Sequence, residues 1–463
     1  MKKLKQDLIV RCVKLLHLVL IVGAFVGSWY GYYAQHLLHP YYRRGNWVII
    51  ILFAAIYIFL ARIYEAYLIS TNRIADTIYS QVLSFLIADI FLFIITWLVN
   101  KYFPNVIPFL ITVAVQTAVS VIWTVVTHIW YFKTHDPKDA IVVFDERKDL
   151  EQLIYEYGYD KKFKVKKILT IEECIEDLGV LEEAETVFLS DIHSHERNVV
   201  LKYCVEKGIT VYVIPRIGDV IMSGARSMHM FHLPVLRVGR YHPAPEYTII
   251  KKVFDIVFSL IGIIIFSPVM LLVAATIKFS DGGPVFYKQK RLTKNGRIFE
   301  VIKFRSMKVD AEKDGVARLS AGENDDRITP VGKIIRRFRL DELPQLFNIF
   351  KGDMSFVGPR PERPEIAAQY EESIPEFSLR LQANAGLTGY AQVYGKYNST
   401  PYNKLEMDLL YIAKPSMLED LRILFATIKI LFLPDSTDGV DIQSITALDE
   451  AKSGKSETTT LIQ

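Results

Sequence analysis

The chain has 463 residues, of which 51% are hydrophobic, and its mean hydropathy is positive, which is high for a soluble protein. Its formal charge of +4 is too small to indicate a nucleic-acid partner. The basic residues lie beside hydrophobic segments, a pattern that favours contact with anionic lipid or phosphate. The three cysteines, Cys12, Cys174 and Cys204, are scattered without metal-ligand or redox spacing, which predicts a reducing cytosolic environment.

Apolar segments open the chain and predict a four-helix transmembrane region over residues 1–135. Each is long enough to cross a hydrocarbon core of roughly 30 Å. The segments are Leu15–Ala34, Trp47–Ile69, Ile78–Val99 and Val106–Phe132. The basic N-terminal residues place that end in the cytoplasm by the positive-inside rule, and four crossings return the chain there.

Asp89 lies within the third of these segments. An ionisable residue inside a membrane is a functional candidate because burying its charge is costly. The favoured alternative is a hydrogen bond in helix packing, to Gln116 or His17, since nothing nearby completes a proton or ion path.

Residues 136–240 alternate strand and helix patterns and predict a Rossmann-like α/β module. The strands are Ala140–Phe144, Val165–Thr170, Val187–Ser190 and Ile209–Ile214, with a helix over Glu196–Lys207. The residues after the first strand lack the glycine-rich turn that cradles a nucleotide phosphate, so no dinucleotide cofactor is predicted. His193 and His195 resemble a metal-binding pair, but without a third ligand an ordinary loop is the favoured interpretation.

Residues 248–279 form a fifth hydrophobic segment, which we predict to be a re-entrant helix. Positive charge flanks both ends, with Lys251 and Lys252 before it and Lys278 after, which favours both ends in the cytoplasm. Pro268 removes a backbone donor and kinks the helix, and the hydroxyl of Ser267 can satisfy the carbonyl that is freed. A fifth membrane span is the alternative.

After this helix come a cationic strand and, further on, two polar segments that are predicted to be mobile or disordered. Lys303 and Arg305 are two cations on one side of a predicted strand. Residues 309–326 are polar and charged, and predict a mobile loop over a site. From residue 434 the chain is rich in serine, threonine and charge, which predicts a disordered tail over 434–463.

A helix with one apolar and one basic face is predicted to begin at Thr329 and Pro330, the N-cap and first helical residue. Its basic face carries Arg336 and leads into two adjacent carboxylates, Asp341 and Glu342. A second helix is predicted to follow Pro344 and to end at Gly352, and its predicted buried residues are Leu346, Phe347, Ile349 and Phe350.

Arg360 lies in the stiff turn Gly358–Pro361, whose prolines limit where its side chain can point. Two carboxylates, converging arginines and such a turn suit phosphoryl chemistry. The alternative from spacing alone is a solvated or lipid-facing basic helix with an acidic cap.

Several motifs in this region resemble the bacterial sugar transferase family, the monotopic polyprenyl-phosphate phosphoglycosyl transferases. The resemblance covers residues 248–433, and residue 390 is tyrosine where the family commonly has tryptophan. The matching motifs are Lys303–Met307, Leu340–Leu346, Gly352–Pro361 and Gly386–Val393. The segments that precede them resemble the long-form members that start exopolysaccharide or capsule repeat units.

The resemblance implies transfer of a sugar 1-phosphate from a UDP-sugar to undecaprenyl phosphate, with release of UMP. It implies that Asp341 is the nucleophile, that Glu342 holds Mg²⁺, and that phosphates are bound by Lys303, Arg305, Arg336 and Arg360. Glucose and galactose are the expected sugars, with acetamido sugars as alternatives. A homodimer is a further expectation, as is a regulatory or dimer-forming role for the α/β module.

The predicted fold class is therefore a multi-part membrane protein. It comprises the four-helix transmembrane region (1–135), the Rossmann-like α/β module (136–240), and a mostly helical α+β catalytic domain with the re-entrant membrane helix (241–433). We expect it in the bacterial cytoplasmic (inner) membrane, with the catalytic domain facing the cytoplasm. The alternatives are a membrane transporter or sensor with a non-catalytic cytoplasmic part, and a nucleotide-sugar-modifying enzyme with a dinucleotide cofactor.

Overall fold

The computed structural model describes residues 2–41, 43–145, 150–156, 158–241, 243–309, 311, 327–395 and 400–431. The chain divides into two compact units, Met1–Ile214 and Pro215–Gln463. The predicted mobile loop, apart from residues 309 and 311, and the predicted tail over 434–463 lie outside the described residues.

Long apolar helices begin the first unit. They are α1 (Lys2–Gly31), α2 (Arg43–Ile63), α3 (Ile74–Asn100) and α4 (Val106–Thr134). Helix α4 packs against α1 and α3. Large apolar side chains such as Leu98 and Ile122 face outward, whereas polar ones such as Gln81 and Ser120 are buried. A helix bundle in lipid is expected to expose apolar side chains and to bury polar ones, as this bundle does. The composition and length of these helices therefore support a membrane protein.

Hydrogen bonds between helices hold the interior of this bundle. Ser120 of α4 lies 3.2 Å from His17 of α1, and Thr124 of α4 donates to Gln81 of α3 at 3.1 Å. Asp89 is buried, and its carboxyl group contacts Gln116 of α4. This contact is of the kind expected of a residue that packs helices together.

The rest of the first unit is a small α/β module. Its elements are β1 (Lys138–Phe144), α5 (Leu150–Glu156), β2 (Phe163–Thr170), α6 (Ile171–Glu176), β3 (Thr186–Ser190), α7 (Ser194–Lys207) and β4 (Thr210–Val213). The sheet has the order β2-β1-β3-β4 and all its pairs are parallel, so the predicted parallel α/β architecture is confirmed. Its core packs strand residues such as Val143 and Leu189 against Val200 of α7. His193 lies 3.8 Å from Asp145, and within the described residues no group of three or more His, Cys, Asp or Glu could hold a metal.

The second unit contains the elements of the predicted catalytic domain. In chain order its helices are α8 (Ile217–Ser223), α9 (Pro245–Asp281), α10 (Pro330–Arg337), α11 (Gln345–Lys351), α12 (Pro364–Ser373), α13 (Tyr390–Tyr394), α14 (Pro401–Ala413) and α15 (Met417–Leu431). Its strands are β5 (Arg226–Met230), β6 (Leu233–Arg237), β7 (Phe286–Leu292), β8 (Ile298–Phe304), β9 (Ser355–Val357) and β10 (Gly386–Thr388). Strands β5–β6 and β7–β8 are antiparallel pairs, and β9–β10 is a parallel pair.

Helix α9 is the fifth helix that is long and apolar enough to cross a membrane. Its 37 residues make it about 55 Å long, nearly twice the hydrocarbon thickness. Pro268 lies inside it and cannot donate to the carbonyl of Ile264, four residues earlier. The hydroxyl of Ser267 donates to that carbonyl at 2.8 Å, so the helix continues through the proline without an orphaned acceptor.

Helix α9 is also the support for the region that carries the acidic pair. Val273 and Ile277 of α9 pack with Phe304 of β8 and Ile335 of α10 in one buried cluster. Residues 217–223, which the sequence placed with the α/β module, instead pack in the core of the second unit. There, Ile217 joins a cluster with residues of α12, α14 and α15.

The predicted buried side of α11 is half wrong. Leu346 and Ile349 are buried in a cluster with Val301 of β8, but Phe347 and Phe350 are exposed. Residues 346 and 349 are three apart and share a helix face, whereas 347 and 350 share the next face around the helix. Helix α11 therefore buries Gln345 and Asn348 beside Leu346 and Ile349, and leaves two aromatic rings outside.

Candidate active site

The acidic pair lies in a single 3₁₀ turn, Leu340–Glu342, between α10 and α11. The start of α10 is fixed by its N-cap, since the hydroxyl of Thr329 accepts from the backbone N–H of Gly332 at 2.9 Å. After α10 the chain turns at Arg339, whose φ of 51° is in the left-handed region. That conformation costs a non-glycine residue about 1 to 3 kcal/mol, which the surrounding packing must offset.

Two cations converge on Glu342. Its Oε1 accepts from the Lys303 ammonium at 3.2 Å and from the Arg360 guanidinium at 3.3 Å. Burial by itself would raise the pKa of Glu342, but the charges of Lys303, Arg360 and Arg339 outweigh burial and lower the pKa to about 2. Glu342 is therefore ionised throughout the physiological pH range.

Asp341 has the opposite shift. Burial, and then the negative charge of Glu342, raise the pKa of Asp341 to about 6, although Lys303 and Arg336 act against the shift. Neighbouring carboxylates whose pKa values are pushed apart are typical of sites where the two groups have different roles. The structure thus distinguishes two carboxylates that spacing in the sequence could not.

The two cations at the end of β8 have different partners. Lys303 contacts Glu342, whereas Arg305, which is 7% exposed, pairs with Asp281 at the end of α9. Arg305 therefore ties the membrane helix to the strand, and its predicted contact with phosphate stays a prediction. The sequence did not indicate Asp281, because the chain offers no local pattern that relates residues 281 and 305.

The turn that carries Arg360 is bonded to strand β10 on both sides. The N–H of Gly358 donates to the carbonyl of Thr388, and the N–H of Gly386 donates to that of Pro359, both at 2.9 Å. A Cβ atom on Gly386 would lie 2.2 Å from the nitrogen of Gly358, so only glycine allows this approach. Strand β10 thereby holds the two residues before Arg360, whose side chain, 48% exposed, reaches Glu342.

The pair suits a magnesium ion that is shared with a substrate. Mg²⁺ is usually bound by one or two carboxylates, with phosphates and water as its other ligands, rather than by a cage of protein groups. Glu342 is an ionised carboxylate beside a second one, Asp341. Among the described residues no cluster of three or more His, Cys, Asp or Glu competes as a metal site. The donor set therefore fits a magnesium ion, which Glu342 would hold.

Comparisons with known proteins point to the same region. Residues 246–434 match the family model described as bacterial sugar transferase. The UDP-N-acetylgalactosamine-undecaprenyl-phosphate N-acetylgalactosaminephosphotransferase of Aeromonas hydrophila is 39% identical over 232 residues, 50% of this chain and 54% of the relative. The UDP-glucose:undecaprenyl-phosphate glucose-1-phosphate transferase of Caulobacter vibrioides is 37% identical over 209 residues, 44% of this chain and 78% of the relative.

A third relative carries the name galactosyl transferase CpsE, from Streptococcus agalactiae. It is 38% identical over 198 residues, 41% of this chain and 43% of the relative. The chain thus spans about half the length of the Aeromonas and Streptococcus relatives. The first two relatives are named as phosphotransferases that act on undecaprenyl phosphate. Since more than two thirds of the Caulobacter relative is matched, this chain belongs to the bacterial sugar transferase family.

Proposed function

We propose that this chain transfers a sugar 1-phosphate from a UDP-sugar to undecaprenyl phosphate and releases UMP, through a covalent phosphosugar on Asp341. This is the first membrane step of exopolysaccharide, capsule or O-antigen synthesis. The main support for the proposal is that the pKa values of the two carboxyl groups are shifted in opposite directions. Glu342 is ionised among cations, while the neighbouring Asp341 has a raised pKa.

In the first step an oxygen of the Asp341 carboxylate attacks the phosphorus that bears the sugar. The bond between that phosphorus and the oxygen bridging to the second phosphate breaks, and UMP leaves with the electron pair. The carboxylate needs no proton removed, so no separate base is required. The raised pKa favours the attack, because a more basic carboxylate is the better nucleophile while still ionised at pH 7.

In the second step a phosphate oxygen of undecaprenyl phosphate attacks the same phosphorus. The bond to Asp341 breaks, the carboxylate is regenerated, and undecaprenyl diphosphate-sugar is formed. Splitting the reaction in this way means that the nucleotide and the lipid phosphate, which repel each other, need not occupy the site together.

The cations around the pair would bind the phosphates. Arg336, whose charge acts on Asp341, and Arg360, which contacts Glu342, would hold phosphate oxygens, and Lys303 would keep the local charge positive. Glu342 would hold Mg²⁺, which supplies neutralising charge to the diphosphate when bound.

The proposed reaction predicts UMP release from a UDP-sugar that depends on both undecaprenyl phosphate and Mg²⁺. A panel of UDP-glucose, UDP-galactose and UDP-N-acetylgalactosamine identifies the sugar, since the names of the relatives include all three types. We expect one sugar to support turnover at least about tenfold better than the others, the discrimination of a site that hydrogen-bonds the sugar. A transporter or sensor would release no UMP, and a cofactor-dependent enzyme would show no dependence on the lipid.

We also propose that α9 is re-entrant, so that the catalytic domain faces the cytoplasm of the inner membrane. The positive charges near both ends of the apolar segment, Lys251 and Lys252 before it and Lys278 after it, support this course. In a variant without the exposed Cys12, cysteine at Lys252 or Lys278 should react with an impermeant thiol reagent only after the membrane is opened. Cysteine at Tyr102, in a predicted outer loop, is the control that reacts in closed right-side-out vesicles. Reaction of the Lys278→Cys variant in closed vesicles would establish a fifth span instead.

A further inference from the structure

The turn that carries Arg360 is held by a buried ion pair on its backbone side. Arg380, which is 8% exposed, donates from Nη2 to the carbonyl oxygen of Arg360 at 2.9 Å. The same nitrogen lies 2.6 Å from a carboxylate oxygen of Asp408, which is 1% exposed. The arginine comes from the stretch Pro375–Gln382 and the carboxylate from α14, so two distant segments meet at one carbonyl.

The next carbonyl along the turn is held in the same way. Arg291 of β7 donates from Nη1 to the carbonyl oxygen of Pro361 at 3.1 Å and to the carboxylate of Glu362 at 3.0 Å. Pro359 and Pro361, on either side of Arg360, have no N–H to donate, so the carbonyl oxygens are important groups for fixing this part of the backbone. Each of two consecutive carbonyls therefore has an arginine, and each arginine has a carboxylate.

Stability alone does not require this arrangement. A buried ion pair can usually be replaced by apolar residues of similar size at little cost, because desolvation offsets most of its attraction. An apolar pair could not, however, hold a carbonyl at a fixed point. Arginine suits that task because its planar fork donates in fixed directions, and the Phe377 ring, 4.9 Å from the Arg380 guanidinium carbon, supports that plane.

We propose that Arg380, with its charge balanced by Asp408, is a positioning residue that fixes the backbone of Arg360. The Arg360 guanidinium is then kept on Glu342, where it would also meet the donor phosphate. This inference rests on the proposed function, since it gives Arg380 a role that acts through Arg360 in the same reaction.

A double-mutant cycle tests whether Arg380 acts through Arg360. Arg360→Gln should lower kcat/KM by roughly 100-fold, and the charge-neutral double variant Arg380→Met/Asp408→Leu by roughly 30-fold. If Arg380 acts only through Arg360, the combined variant should be no worse than Arg360→Gln alone, within about threefold. A loss in the combined variant near the product of the two factors, roughly 3,000-fold, would overturn the proposal.

Control variants distinguish a loss of Arg360 positioning from a general loss of packing in the second unit. Arg297→Met/Asp353→Leu removes an ion pair of the same unit, 3.1 Å long, and its effect should multiply with that of Arg360→Gln. Arg380→Lys keeps the positive charge opposite Asp408 but lacks the planar guanidinium group. If the double variant does not fold, Arg380→Lys can replace it in the double-mutant cycle with Arg360→Gln. Full activity in Arg380→Lys would also overturn the proposal, because the fork would then be unnecessary.

Hydrogen exchange of the peptide that contains residues 355–363 gives a readout that needs no turnover. The N–H of Gly358, which donates to Thr388, should exchange at least about tenfold faster in Arg380→Met/Asp408→Leu, with no such change in the Arg297→Met/Asp353→Leu control. Unchanged exchange would show that the turn does not depend on Arg380. A wild-type protein that released no UMP would contradict the proposed function and leave this measurement intact.

Discussion

Asp341→Asn is expected to abolish UMP release, with a loss of at least about a thousandfold. The amide of asparagine is nearly the same size as the carboxylate but is a far weaker nucleophile, so it cannot form the bond to phosphorus. The loss should be in kcat, because the cations that bind phosphate are unchanged. Release of UMP from a saturating UDP-sugar, with undecaprenyl phosphate and Mg²⁺ present, is the measurement.

The control for this variant is Asp353→Asn, which removes a carboxylate of the same unit whose partner is Arg297. It should keep activity within about threefold of the wild type, as expected for a partly exposed ion pair. Retention of more than a tenth of wild-type turnover by Asp341→Asn would mean that another group attacks the phosphorus.

Glu342→Gln has the second large expected effect, and it has two parts. The maximal rate should fall by roughly 100-fold and require more Mg²⁺, since glutamine is a neutral and weaker metal ligand. The pH profile should also change. Asp341 attacks only when ionised, so the wild-type kcat/KM, which reports ionisation in the free enzyme, should decline as the pH falls through about 6. Because the charge of Glu342 helps to raise the pKa of Asp341, its removal should move this decline to lower pH.

The measurement is kcat/KM for the UDP-sugar as a function of pH, together with the maximal rate, for the wild type and for Glu342→Gln, each at saturating Mg²⁺. Glu300→Gln is the matched control, because Glu300 lies on β8 and pairs with the exposed Lys288 at 3.5 Å. It should leave both the maximal rate and the decline near pH 6 unchanged. A decline that stays in place or moves to higher pH in Glu342→Gln would show that Asp341 does not respond to its neighbour.

Local patterns predicted much of this fold. The strands of the α/β module lie within three residues of their predicted starts, since β-branched runs bounded by polar residues specify them. Helix α10 begins at Pro330 as predicted, because Thr329 caps it through a bond three residues away. Each of these features depends on residues close together in the chain.

Features that depend on contacts between distant parts of the chain were predicted less well from the sequence. Phe347 and Phe350 have the composition of a buried face, but which face α11 buries depends on where α9 and β8 lie. Lys303 and Arg305 share a short motif, yet the structure gives them Glu342 and Asp281 as separate partners.

In the candidate active site, too, local features were predicted from the sequence and long-range contacts were not. The motif around Asp341 and Glu342 was visible, whereas the left-handed turn at Arg339 was not, because arginine has no preference for that conformation. The support of Arg360 by Arg380 and Asp408 joins residues far apart in the chain, and no local spacing indicates it.

The most direct test of the central claim is the mass of the peptide that contains Asp341 after the enzyme meets the UDP-sugar and Mg²⁺ without lipid acceptor. Covalent catalysis by Asp341 predicts a gain equal to one sugar phosphate on that residue, lost again when undecaprenyl phosphate is added. Formation of undecaprenyl diphosphate-sugar by an enzyme that never carries this mass would contradict it.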